Sequence, residues 1–102
     1  MSAEGTNEWQ ENLPLPYSME AEQSVLGAVL VDPAVLSELL DVLKPSYFYL
    51  AQHRAIFTSM VRMFSESESI DFVTLLDSLR TAGVYDEAGG REYLLSLLQM
   101  VP

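Results

Sequence analysis

Two helical patterns separated by a single capping residue constrain this chain more than anything else in it. From Met19 to Asp32 the apolar residues Ala21, Val25, Leu26, Val29 and Leu30 recur at steps of three and four, the spacing of one buried helical stripe. Ser18 precedes the stripe as an N-cap, and Glu20 and Glu22 fall in the first turn, where the helix dipole favours carboxylates. As a pair they are expected to be solvated, since residues two apart do not face each other on a helix. Asp32 then caps a second helix with Pro33 at its first position, so the first helix must fold straight back on its successor. Gly27 in mid-helix costs about 1 kcal/mol against alanine, which predicts a close backbone approach there.

The same periodicity continues to the end of the chain. Residues 33–43 place Val35, Leu36, Leu39, Leu40 and Leu43 on one face, and Lys44-Pro45 stops the pattern. An aromatic knot, Tyr47-Phe48-Tyr49, precedes a third helix over Ala51–Ser65 that is expected to bury Ile56, Phe57, Met60, Met63 and Phe64. The run Ser65-Glu66-Ser67-Glu68-Ser69 reads as a solvated loop. Asp71 caps a fourth helix carrying Phe72, Leu75, Leu76 and Leu79, which Gly83 ends. A tight connection through Asp86, Gly89 and Gly90 leads to a last helix, residues 91–100, with Leu94, Leu97, Leu98 and Val101 on one face. No stretch alternates as a strand would. The expected architecture is all-α, a compact orthogonal bundle of about five to six helices over residues 17–102, preceded by a flexible acidic tail, residues 1–16, that holds the only tryptophan, Trp9.

Composition narrows the chemistry. With no cysteine in 102 residues, disulfides and thiolate sites are excluded. Fifteen acidic against five basic residues give a charge of −10, which repels phosphate backbones and anionic lipid, so neither nucleic acid nor membrane is an expected partner. The chain start lacks the basic and apolar regions of a signal peptide, and a cytoplasmic location is expected. None of the five glycines precedes a lysine, as a phosphate-binding loop requires. Gly89-Gly90 reads as a turn before a helix, the commoner use of such a pair. His53, the only histidine, shares the face of Ile56 and Phe57 and is expected to be a hydrogen-bonded core-edge residue, because one histidine cannot make a metal site. No catalytic, cofactor or metal residue is assigned.

Four motifs resemble one family. Pro16-Tyr17-Ser18-Met19-Glu20-Ala21-Glu22-Gln23-Ser24-Val25-Leu26-Gly27 is similar to the opening of the bacterial replicative DNA helicases, the DnaB family. Phe48-Tyr49 with His53-Arg54 and Ile56-Phe57, Asp71-x-Val73-Thr74-Leu75, and Gly89-Gly90-x-x-Tyr93-Leu94 follow in that family's order. Tyr47 departs from the aspartate often found before Phe-Tyr. The resemblance implies the globular head of the helicase N-terminal domain, with Val101-Pro102 at a helix boundary and a helical hairpin and ATPase domain beyond it. It implies a 5′ to 3′ hexameric helicase parent that uses ATP and Mg2+, while this piece needs neither. The implied partners are the other helicase subunits, the helicase-binding domain of primase and a helicase loader. On that reading Glu22, Gln23, Gly27, His53, Phe57, Asp71, Thr74, Gly89 and Gly90 build the scaffold, and Glu20 and Tyr93 are candidate partner contacts. The alternative implied is an adaptor of the same fold in another replication protein such as primase.

Overall fold

The computed structural model describes residues 18–100. The expected tail, residues 1–16, and Val101 lie outside them. Helix α1 (Met19–Val31) begins where the Ser18 hydroxyl accepts a hydrogen bond from the Ala21 amide at 3.1 Å. Its buried stripe is Leu26, Val29 and Leu30, with Gln23 and Gly27 also buried. Ala21, expected inside, is exposed, and Val25 is half-buried. Asp32 ends α1 and turns the chain: its carboxylate accepts from the Ala34 amide at 3.3 Å, with Pro33 starting a 3-10 turn, Pro33–Val35.

The regular helix expected over 33–43 does not form. The 3-10 turn passes into a four-residue α2 (Leu36–Leu39), after which the amides of Asp41 and Val42 bond to Glu38 and Leu39 three residues back. Tightening the path in this way breaks the regular helical spacing, although all five apolar residues still pack on the core. Only Leu36 is fully enclosed, while Val35, Leu39, Leu40 and Leu43 are half-buried. A second 3-10 turn, Pro45–Tyr47, delivers Phe48 into the core and leaves Tyr47 and Tyr49 exposed on either side.

Helix α3 (Ala51–Ser65) has the bounds its periodicity predicts and is the central post of the fold. Ile56, Phe57, Met60 and Met63 are buried against α1 and α4, but Phe64 is 43% exposed, one position past the inward face. Phe57 meets Phe48 with ring centroids 4.9 Å apart. Residues 66–69 are exposed, as their composition predicts.

Helix α4 (Phe72–Thr81) opens on a reciprocal cap: Asp71 Oδ1 accepts from the Thr74 amide and Thr74 Oγ1 accepts from the Asp71 amide, each at 2.9 Å. It closes on Gly83 at φ 78°, with the Val84 amide reaching Leu79 O and the Gly83 amide reaching Arg80 O, which satisfies carbonyls otherwise left bare. Helix α5 (Gly90–Leu98) starts one residue earlier and ends two residues sooner than expected, and packs Leu94 and Leu97 against α1 and α4. Five α-helices and two 3-10 turns, with no strand among the described residues, therefore enclose one core.

Candidate functional site

Three of the motif segments converge on one side chain. His53 sits in the first turn of α3 with no exposed surface, and a buried imidazole must have both nitrogens satisfied. Nδ1 lies 2.7 Å from Glu22 Oε1 and Nε2 lies 2.6 Å from the Tyr93 hydroxyl. A carboxylate can only accept, so Nδ1 carries hydrogen and donates to Glu22. With Nε2 as acceptor the Tyr93 hydroxyl donates to it, and the hydroxyl oxygen in turn accepts from Gln23 Nε2 at 3.1 Å. The second carboxylate oxygen of Glu22 accepts from the Tyr49 amide at 2.8 Å. One unbroken chain of donors and acceptors thus runs from Gln23 through Tyr93, His53 and Glu22 to the backbone of Tyr49. It ties α1, α3, α5 and the aromatic turn together.

Glu22 is consequently not the solvated first-turn carboxylate that its position on α1 predicts. It is 15% exposed and paired with His53. The sequence reading misses the pairing because the partner lies thirty-one residues away and no helical period connects the two. In the helical spacing, the placement of His53 on the inward face is the one signal of it. Gln23, too, has a role that its position does not announce. Tyr93, a candidate partner contact, is half-buried, and its hydroxyl is taken by His53 and Gln23. The Tyr93 ring also stacks near the His53 ring, 5.8 Å between centroids at 25°.

Two further features hold the network in register. Arg54, next to His53, donates from Nη1 to the carbonyls of Phe48 (2.8 Å) and Tyr49 (2.6 Å), clamping the aromatic turn whose amide Glu22 receives. Gly89, before α5, has φ 102°, and a Cβ there would stand 2.7 Å from Tyr93 Cβ. A glycine is required for the Tyr93 side chain to lie against that turn. Gly90, at φ 72°, packs beside Tyr85, whose hydroxyl accepts from the Arg91 amide at 3.1 Å.

The remaining motif residues lie elsewhere. Asp71 and Thr74 form the α4 cap, Phe57 belongs to the core and Gly27 is buried in α1. Glu20 is exposed and stands apart from the network. Chemically the arrangement is a lock. Both His53 nitrogens are occupied within the chain and the ring is wholly enclosed, so a substrate could reach them only by opening the fold. Among the described residues no cluster of three or more His, Cys, Asp or Glu could hold a metal ion, and no helix is long and apolar enough to cross a membrane.

Residues 14–102 match the model of the DnaB-like helicase N terminal domain. The chain is 43% identical over 94 residues to the replicative DNA helicase DnaB of Geobacillus stearothermophilus, an alignment covering 92% of this chain and 20% of that protein. With the DnaB of Pasteurella multocida the identity is 38% over 93 residues, covering 91% and 20%. The crystal structure of the N-terminal domain of DnaB helicase from Mycobacterium tuberculosis is similar at a TM-score of 0.82 and 32% identity, covering 85% of this chain and 63% of that one. The chain spans 20% of the length of each of these two helicases.

Proposed function

Because the chain belongs to the DnaB-like helicase N terminal domain family, we propose that it is the assembly and docking head of a hexameric, ATP-dependent replicative DNA helicase working in the bacterial cytoplasm. In this role the head forms part of a collar above the motor ring and helps to dock primase and a helicase loader. Strand separation, in the 5′ to 3′ direction, and the binding of ATP and Mg2+ belong to the motor portion of the parent. The residues here lack the glycine-rich phosphate loop that such a motor site uses, since none of the five glycines precedes a lysine. The observation that carries the reading is the family match over residues 14–102, in which the motif residues Glu22, Gln23, His53 and Tyr93 are spent on holding helices in register. A rigid surface of fixed shape suits docking, because little ordering entropy is then lost on binding. Glu20 and the ring edge of Tyr93 are proposed contacts.

The test is a titration of the helicase-binding domain of the cognate primase against this head extended through the following hairpin. Saturable binding at micromolar concentrations is expected. Absence of binding at those concentrations overturns the docking role. A Gly-x-x-x-x-Gly-Lys-Ser/Thr encoded downstream of Pro102 is the expected companion result.

A further inference from the structure

We propose that the cleft between α3 and the α4–α5 connection binds a carboxylate side chain, an Asp or Glu carried on a segment of a partner protein. The cleft has a volume of about 290 Å³, with Arg54, Ala55, Ser59 and Arg62 lining it from α3 and Ala82 and Glu87 facing them. Ser59 is the residue that calls for a ligand. It is 1% exposed, and its hydroxyl has no hydrogen-bond partner among the described residues. The other buried serine, Ser78, is met by Arg62, and the hydroxyls of Ser65 and Ser96 donate to carbonyls three residues back. An enclosed hydroxyl without a partner is costly, and here only a group entering the cleft can supply one.

The lining sets the chemistry of that group. Along the axis of α3, Ser59 stands about 7.5 Å past Arg54 and about 4.5 Å short of Arg62. Arg54 gives only its Nη1 hydrogens to Phe48 and Tyr49, and Arg62 only those of Nη2 to Ser78, so each keeps its Nε hydrogen and one whole amino group. On Arg54 these form the Nε–Nη2 edge, against which a carboxylate makes two parallel bonds. Glu87 is the one acid lining the cleft with these two cations. The single unbalanced positive charge complements one carboxylate better than a phosphate dianion. This excess is local, for in the adjoining groove Glu66, Glu68 and Asp77 outnumber Arg62 and Arg80. A cleft of this size encloses a side chain rather than a whole cofactor. The site adds to the docking reading and does not depend on primase being the partner.

The probe is the blocked peptide acetyl-Gly-Gly-Asp-Gly-Gly-amide, compared with its Asn counterpart and titrated into the full 15N-labelled chain by NMR. The Asp peptide is expected to shift the Ala55 and Ser59 amides and the Arg54 Nε–H saturably, in the millimolar range, and the Asn peptide to bind at least about tenfold more weakly. Ser59→Ala should weaken the Asp peptide about fivefold without lowering the thermal midpoint, because the hydroxyl has no internal bond to lose. Glu87→Gln should tighten it about threefold, whereas Glu38→Gln, the same charge change outside the cleft, should leave affinity within about 1.5-fold. Equal binding of the two peptides overturns the proposal, and so does unchanged affinity in Ser59→Ala. Equal tightening in Glu38→Gln would mean unspecific attraction and overturns it too. Inorganic phosphate is the remaining arm: tighter binding of phosphate than of the Asp peptide at the same resonances overturns the assignment to a carboxylate. If primase fails to bind while these peptide results hold, the docking of primase falls and this site stands.

Discussion

His53 Nδ1 and Glu22 Oε1 meet at 2.7 Å across thirty-one residues of sequence, and the remaining oxygen of the same carboxylate holds the Tyr49 amide. A single acid therefore satisfies two donors on two separate segments. Removing one member leaves the others buried without partners, which costs more than the bond itself contributes.

His53→Ala is expected to lower stability by about 2–4 kcal/mol, combining a cavity with an orphaned Glu22 carboxylate and Tyr93 hydroxyl. Glu22→Ala should cost somewhat less, because that site is partly open to water. Denaturant unfolding followed by circular dichroism measures both. The double variant should lose clearly less than the sum of the two, the signature of groups acting together.

Gly89→Ala and Gly83→Ala separate backbone strain from steric conflict. Both positions have positive φ, but an added Cβ at Gly83 meets nothing within 4 Å, whereas at Gly89 it meets Tyr93 Cβ at 2.7 Å. Gly83→Ala should cost about 1 kcal/mol from strain alone. Gly89→Ala should cost clearly more, with the tyrosine fluorescence changing as Tyr93 is displaced. Equal unfolding midpoints would refute the close approach.

At the start of α4, Asp71→Ala and Thr74→Val each break one arm of the reciprocal cap. Each is expected to lower stability by about 0.5–2 kcal/mol. Asp71→Asn, which keeps an acceptor, should lose less. Thermal midpoints rank the three.

Phe57→Ala should be among the most damaging single changes, about 3–5 kcal/mol, since its side chain is wholly enclosed. Phe64→Ala, seven residues on, should shift stability by less than about 1 kcal/mol because the ring is 43% exposed. A comparable loss at Phe64 would restore the inward placement that its spacing predicts.

Local rules carried some elements completely. The bounds of α3, the Asp71 cap and the Gly83 stop follow from side chains within one or two turns of each other, and the structure has them where the sequence predicts. Residues 33–43 show where such rules end. The apolar spacing there fits a regular helix, yet the chain tightens into a 3-10 turn and breaks after Leu39, and nothing in that segment records how much room the packed core leaves. For the same reason, helical spacing could put His53 inside but could not name Glu22, Tyr93 and Gln23 as its partners. Their meeting depends on how three helices cross, a property of the assembled core. The family motifs marked all four residues without saying that they touch.

The Arg54 clamp has an electrostatic corollary. A guanidinium that spends both Nη1 hydrogens on two carbonyls of its own chain has fewer donors left to offer an incoming phosphate. Arg62 is similarly engaged with Ser78, Arg80 lies over the Tyr85 ring and Arg91 near the Phe72 ring. Arg54 and Arg62 therefore act first as fasteners within the fold, tying the aromatic turn to α3 and α3 to α4, so part of the chain's scarce positive charge is spent on its own backbone and hydroxyls.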